Sequence, residues 1–288
     1  MKAGFIGAGK VGFSLGRYFK ENGYFVTGYY SRSRKSAEEA ADFTGSRYYP
    51  GLADLVRDSD TLFLTVPDGA IGKVWDDMLD LPIENKNICH CSGSISSAVF
   101  FNAEKRGAYR FSVHPLCAVS DRYHSFSHLG ETYFTLEGSA ERLEEMKKNF
   151  ASMGNVVVVI DAEQKVRYHA AAVMVSNQAA ALADIGAELL QQCGFSRRDA
   201  EKALGPLIAG NAQNIAQRGP TEALTGPVER GDIDTVRNHL SVLDGQAREL
   251  YVQLSERLVR IAERKHPDRN YEELKKELEE NEKHSSRI

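Results

Sequence analysis

The chain opens with Lys2-Ala3-Gly4-Phe5-Ile6 and runs on into Gly7-Ala8-Gly9-Lys10-Val11-Gly12, an apolar strand leading straight into a glycine-rich turn and an apolar helix. This succession restricts the fold more than any other feature, because it is the entry to a dinucleotide-binding βαβ unit. Gly7 permits the tight turn, Gly9 lets the backbone approach a pyrophosphate without an intervening Cβ, and Gly12 lets helix and strand pack closely. The helix N-terminus then offers unpaired N–H groups to phosphate. Val11, Leu15, Tyr18 and Phe19 supply the helical stripe that follows. Gly7, Ala8, Gly9, Lys10, Val11 and Gly12 are therefore the first cofactor-binding candidates.

Phe25 to Tyr30 reads as the second strand, and its end lies about twenty residues past the glycines, where an NAD site places an acid on the ribose hydroxyls. No Asp or Glu occurs from Asn22 to Ala37. Tyr30 holds that place and is followed by Ser31-Arg32-Ser33-Arg34-Lys35, hydroxyls and cations suited to a 2′-phosphate. The expected cofactor is NADP, with Arg32 stacking on adenine and Ser31 with Arg34 or Lys35 on the phosphate.

The 288 residues suffice for two moderate cores. A net charge of -4 gives no general attraction to nucleic acid or to an anionic membrane, so the basic cluster is a local device. The first residues enter a strand, and no apolar run has the length of a membrane span, which makes a cytoplasmic location the expectation. Cys89, Cys91, Cys117 and Cys193 form no disulfide framework in a chain of this size. Cys89-His90-Cys91 invites a metal reading, but alternation puts the two thiols on one strand face and His90 on the other, which is not a zinc spacing. No metal is expected.

Strands are expected at Thr61 to Val66, Asn87 to Cys91, Phe111 to Pro115, Tyr133 to Leu136 and Val156 to Ile160, with helices between them at Ser36 to Phe43, Gly51 to Val56 and around Ile71, Val74, Trp75 and Met78. The fold class is α/β, a doubly wound N-terminal sheet. Beyond Asp161 the pattern turns helical. Val166 to Leu190 is apolar nearly all round and is expected to be one buried helix. Ala200 to Arg218, Ile233 to Arg264 and Tyr271 to Lys283 continue, with breaks at Gly219-Pro220, Gly226-Pro227, Gly231 and Pro267. Glu272 to Leu278 is expected as a charge-paired solvated helix, and Ser285 to Ile288 as a frayed end. The domains are expected to be 1–161, binding NADP, and 162–288, helical, for substrate and dimerisation, with a substrate cleft where they pack.

The ordered set Gly7 to Gly12, Tyr30-Ser31-Arg32-Ser33, Val66-Pro67-Asp68, His90-Cys91-Ser92-Gly93, Val113-His114-Pro115-Leu116, Tyr168-His169-Ala170-Ala171-Ala172 with Ser176-Asn177, and Leu224-Thr225-Gly226-Pro227 with Arg230-Gly231-Asp232 and Thr235-Val236 resembles one group. It is that of the Rossmann-like NADP oxidoreductases whose C-terminal helical domain has no assigned function, relatives of the 6-phosphogluconate and β-hydroxyacid dehydrogenases. The resemblance covers nearly the whole chain apart from the charged tail. It implies the two-domain fold, the NADP cofactor and a homodimer through the C-terminal helices, and it supplies no substrate.

Hydride transfer to C=O or C=N requires a proton donor at the atom that gains charge. In such sheets the ligand lies beyond the carboxyl ends of the strands. Ser92, Ser94 and His114 fall on that edge, as do Val66 and Pro67, and Val66, Pro67 and Ser92 complete the cofactor-binding candidates. Gly93-Ser94 with His114-Pro115 is also similar to the Gly-Ser and His-Pro motifs of prephenate and arogenate dehydrogenases, which implies active-site roles for Ser94 and His114. On the long helix, His169 and Asn177 are spaced i, i+8 and share a face. Related hydroxyacid dehydrogenases carry a catalytic Lys four residues before the Asn. Here that residue is Val173, and His169, one turn earlier, takes its place as acid–base candidate. Arg230 and Thr225, in a loop fixed by glycines and a proline, are substrate-binding candidates, Arg230 by a bidentate grip on an anion. The expected activity is an NADP-dependent oxidoreductase acting on a small polar carbonyl, hydroxy or imino substrate. The competing readings are an NADP(H) sensor or interaction module without catalysis, a prephenate-dehydrogenase-like enzyme and a deazaflavin-linked oxidoreductase.

Overall fold

The computed structural model describes residues 1–285, so of the frayed end expected from Ser285 to Ile288 all but Ser285 lies outside the described residues. The chain forms two compact units, Met1–Ser176 and Asn177–Ile288. Within the first, β1 (Lys2–Ile6), α1 (Lys10–Glu21), β2 (Phe25–Tyr30), α2 (Arg34–Thr44), β3 (Arg47–Tyr48), α3 (Leu52–Asp58), β4 (Thr61–Leu64), α4 (Asp68–Met78), β5 (Asn87–His90), β6 (Tyr109–Pro115), β7 (Phe134–Gly138), α5 (Ala140–Ala151), β8 (Val157–Val159) and α6 (Lys165–Val175) follow in order. The strands make one eight-stranded sheet in the order β3-β2-β1-β4-β5-β6-β7-β8. Its pairs are parallel except β6 with β7, where His114 stands opposite Thr135.

The reversal of order on either side of β1 is what opens a crevice at the strand ends. Each face carries its own core. Phe5, Phe19, Phe63, Phe111 and Phe134 pack with α1 and α5 on one side. Leu62, Leu64, Ile71, Trp75, Ile88 and Phe100 pack on the other. A continuous apolar strand such as Thr61–Leu64, buried at every position, is the signature of a sheet covered on both faces. Cys89 belongs to the first core while His90 lies against Phe100 of the second, the alternation expected of a strand.

In the second unit, α7 (Asn177–Gln192) and α8 (Arg197–Ala223) pair, and α9 (Pro227–Arg230), α10 (Ile233–Val242), α11 (Gly245–Lys265) and α12 (Glu272–Ser285) enclose a small core of Val228, Val236, Leu240, Val252, Val259 and Leu278. α8 turns sharply at Gly219, where φ is 76°.

Four expectations change. The single helix from Val166 to Leu190 is interrupted at Ser176, whose φ and ψ are -113° and -78°, so the i, i+8 spacing does not set a common helical face for His169 and Asn177. Nor is this stretch buried, since Val166, Met174 and Val175 are 70%, 65% and 81% exposed. The charged helix Glu272 to Leu278 is not merely solvated, because Tyr271, Leu274 and Leu278 recur at helical spacing and sit in the core. The compact units also divide at Ser176, beyond the Asp161 boundary read from the sequence. α6 stays with the sheet because Lys165 and Tyr168 hydrogen-bond to groups on and beside β6.

Candidate active site

The glycine turn is locked from several sides. Gly7 N–H donates to Tyr30 O at 2.8 Å and Thr65 Oγ1 donates to Gly7 O at 2.8 Å. A Cβ on Gly12 would stand 2.6 Å from both Gly7 O and Thr65 Oγ1, and one on Gly7, whose φ is 108°, would stand 2.7 Å from Thr65 O. Gly9 instead has only Thr65 O near it, at 3.8 Å, which leaves its outer side open for a phosphate. Gly9 caps α1 without a side-chain hydrogen bond, so the first N–H groups of the helix keep their donors for a ligand.

Beside this turn lies a pocket lined by Ile6 to Gly9, Tyr30, Ser31, Arg32, Ser36, Leu52, Thr65, Val66, Pro67, Ala70, Lys73, Val74 and Asp77. Apolar Leu52, Val66 and Val74 suit a flat base, and Ser31, Arg32 and Ser36 suit a 2′-phosphate, so the residues present fit NADP. Of the sequence candidates, Gly7, Ala8, Gly9, Ser31, Arg32, Val66 and Pro67 line this pocket. Lys10, Val11 and Gly12 form the first turn of α1 behind it. Arg34 does not line it, because its Nε pairs with Glu38 Oε1 at 2.8 Å and its guanidinium lies over the Tyr48 ring. Ser33 is occupied as the cap of α2, accepting from Ser36 N. Ser36 on α2 and Lys73 and Asp77 on α4 also line it and were not among the candidates, since only folding brings these helix positions to the same pocket.

A second cluster forms where β5 and β6 end. Ser92 Oγ donates to Asp68 Oδ2 at 2.7 Å and accepts from Ile95 N at 3.1 Å, which ties the Ser92-Gly93-Ser94 turn to the N-terminus of α4 directly after Val66 and Pro67. Ser92 is therefore a tether rather than part of the pocket lining. Ser94 Oγ lies 3.5 Å from the same carboxylate oxygen. His114 Nδ1 and Tyr168 OH are 2.7 Å apart. Burial raises the Tyr168 phenol above its usual value, so it keeps its proton, and this hydrogen bond fixes the orientation of the His114 ring with Nε2 on its far side. A Cβ on Gly93 would meet His169 Nδ1 at 2.6 Å and His114 Nε2 at 3.0 Å, so both imidazoles aim at the backbone that glycine leaves bare. The two rings stand 6.4 Å apart and nearly perpendicular, and His169 Nδ1 is buried without a hydrogen-bond partner among the described residues.

Burial lowers the pKa of His114 to about 4, aided by the charges of Lys165 and His169, and burial likewise lowers fully enclosed His90 to about 4. Unfolded, both would titrate near 6.5. Between pH 6.5 and 4 the unfolded chain thus binds protons that the folded one does not, so stability falls as pH drops through that window by about 1.4 kcal/mol per pH unit for each group. Urea midpoints at pH 7.5, 6 and 5 should decline accordingly, and His90→Gln should flatten the decline. Burial also pushes the Cys89 thiol well above its usual value and Cys91 to about 12, which leaves both protonated.

The remaining candidates belong to the second unit. Asn177 opens α7. Thr225 precedes α9, whose path is set by Gly226 and Gly231 at φ 109° and 74°. Arg230 lies 3.9 Å from Asp232, which caps α10 by accepting from Thr235 N. Sequence reasoning missed Lys165 and Tyr168. Both stand on α6 and reach the cluster only through tertiary packing.

Residues 2–88 match the family described as NADP oxidoreductase, coenzyme F420-dependent, and residues 132–258 match a domain of unknown function, DUF2520. Among solved structures, a "putative NADP oxidoreductase" from Bacteroides fragilis is 25% identical with a TM-score of 0.69, over 90% of this chain and 98% of that one. A protein from Thermotoga maritima is 28% identical with a TM-score of 0.69, over 91% and 98%. A pyrroline-5-carboxylate reductase from Coxiella burnetii shares the fold at 15% identity and a TM-score of 0.60, over 91% and 97%. No curated protein matches the chain. Fold, glycine turn and pocket agree with these likenesses, and the chain joins a domain of the coenzyme F420-dependent NADP oxidoreductase family, with NADP as cofactor, to a DUF2520 domain.

Proposed function

We propose that the protein transfers a hydride between NADP(H) and the carbon of a small polar carbonyl or imino substrate, with the acid–base work at His114 and His169. The observation that carries this reading is the convergence of His169 Nδ1 and His114 Nε2 on Gly93, in a turn that Ser92 ties to Asp68 next to Val66 and Pro67 of the cofactor pocket. When bound, NADPH supplies the hydride. Reduction of C=O or C=N leaves charge on oxygen or nitrogen, and the protein's task is to place a proton at that atom. Neutral His114, held at Nδ1 by Tyr168, is proposed to hydrogen-bond the atom that gains charge and to relay to it a proton taken up from solvent, and His169 is the second imidazole within reach of the same space. Ser94 is proposed to orient the substrate. Within the second unit taken by itself, Asn177 is proposed as a polar substrate-binding group, and Arg230 with Thr225 as an anion-binding pair.

The testing experiment is a fluorescence titration with NADPH and NADH side by side, followed by a screen of keto acids and cyclic imines. NADPH should bind far more tightly than NADH. Arg32→Ala should weaken NADPH by about 10- to 100-fold, the value of a charge-assisted contact, and leave NADH nearly unchanged. Equal affinity for both nucleotides would remove the phosphate reading of Ser31 and Arg32.

A second reading is favoured by the description of the family matched at residues 2–88, which names coenzyme F420. In it a deazaflavin is the hydride partner, and NADP reduction by a reduced deazaflavin is the readout. The exposed apolar side chains of α7 and α8, among them Leu182, Leu207, Ile208 and Ile215, are proposed to seat a second copy of the chain. A sedimentation mass of one chain would reject that part.

A further inference from the structure

Lys165 is the first residue of α6 and is 1% exposed. Lysine is rarely enclosed to this degree without a compensating set of partners. Its ammonium donates to Ser92 O at 2.9 Å and to Ser112 Oγ at 2.5 Å, so it bridges the turn that ends β5 to the middle of β6. Ser92 is thereby held on two sides, its hydroxyl on the Asp68 carboxylate and its carbonyl on the Lys165 ammonium. The next residue is Gly93, which His114 and His169 both face.

We propose that Lys165 is a positioning residue of this site, clamping the Ser92-Gly93 turn to β6 and setting the charge that the two imidazoles face. The inference rests on the reading of His114 and His169 as the acid–base pair. Lys165 need not touch substrate, because it acts through Ser92 and through its field. The groups around it are Asp68 at the start of α4, His90 and Cys91 at the end of β5, His114 on β6, Glu137 on β7, and Tyr168 and His169 on α6 itself. Burial lowers its pKa to about 8, while the carboxylates of Glu137 and Asp68 pull the other way, so it is cationic at neutral pH. That cation stands second only to burial among the causes that keep His114 unprotonated. A neutral His114 can donate from Nε2 and keep Tyr168 at Nδ1. An imidazolium there would face the Lys165 charge within the protein interior.

The test needs neither substrate nor cofactor. Histidine Cε1–H resonances of the full chain are followed by NMR from pH 8 to 4. Lys165→Gln, which keeps a donor for Ser92 O but no charge, is expected to raise the His114 midpoint by about one pH unit, whereas Lys165→Arg is expected to leave it low. A folded Lys165→Gln protein with an unmoved His114 midpoint overturns the proposal. The wild-type protein gives a second reading should that variant not fold. The backbone amides of Gly93 and Ser94 are expected to titrate together with a midpoint near 8 as the ammonium loses its proton. Flat amide shifts between pH 7 and 10 overturn the clamp. A lysine that only filled space would move neither signal, and a protein without NADPH turnover could still pass both tests, so failure here is distinct from failure of the hydride reading.

Discussion

Replacing His114 by Asn is expected to lower turnover by about 10²- to 10⁴-fold, the usual worth of a positioned acid or base, while NADPH affinity stays within the error of a fluorescence titration. The separation follows from geometry. His114 lies at the end of β6 against Tyr168 and Gly93 and does not line the cofactor pocket. The pH profile adds a second signature. With the folded pKa of His114 at about 4, the imidazole stays neutral throughout the neutral range, so the acid limb of the wild-type profile should fall near 4 instead of near 6.5. That limb should be lost in the His114→Asn protein. His169→Asn is expected to reduce kcat as well, and the double variant should be little worse than the poorer single one, because groups acting as a unit are not additive. Full turnover in the double variant would reject the acid–base assignment outright.

The second large effect is expected at Gly12. Its missing Cβ leaves room for two contacts at once, Gly7 O and Thr65 Oγ1, each of which would lie 2.6 Å from an added carbon. Neither can retreat, since Gly7 O already accepts from Thr65 Oγ1 and Gly7 N is fixed to Tyr30 O. Gly12→Val should therefore push α1 off the strand end, costing about 1–3 kcal/mol or more of stability by overpacking and weakening NADPH by at least about tenfold. Urea unfolding and a nucleotide titration on the same preparation read both. Gly130→Ala serves as the control, because nothing lies within 4 Å of a Cβ there. Unaltered NADPH binding in a folded Gly12→Val protein would mean that the turn is not a phosphate cradle.

The tight spacing of Gly7, Gly9 and Gly12 was legible because backbone geometry alone demands those glycines. The strands were legible for a related reason, as in Thr61–Leu64, where burial on two faces leaves an unbroken apolar run. α5 and the antiparallel pairing of β7 with β6 were less so, because pairing direction depends on long-range contacts that leave no local pattern. The charge-rich α12 shows the opposite error. Glu and Lys dominate its composition, yet Tyr271, Leu274 and Leu278 decide that one face is core. In the same way, Val166 to Val175 has the composition of a buried helix but is largely exposed within this chain, since composition records that a surface needs cover and not what covers it.

The doubly wound sheet, the glycine turn and the cations that stand after β2 in place of an acid can all be read from residue order, because local backbone sterics and charge dictate each. Residue order does not reveal that Arg34 turns away to Glu38, that α6 remains with the sheet, or that Lys165 and Tyr168 join His114 around Gly93; these come from packing. Those contacts link residues such as Lys165 and Ser92 that lie far apart in the chain, and side chains so separated meet only when the packing of whole elements has fixed where each strand and helix ends.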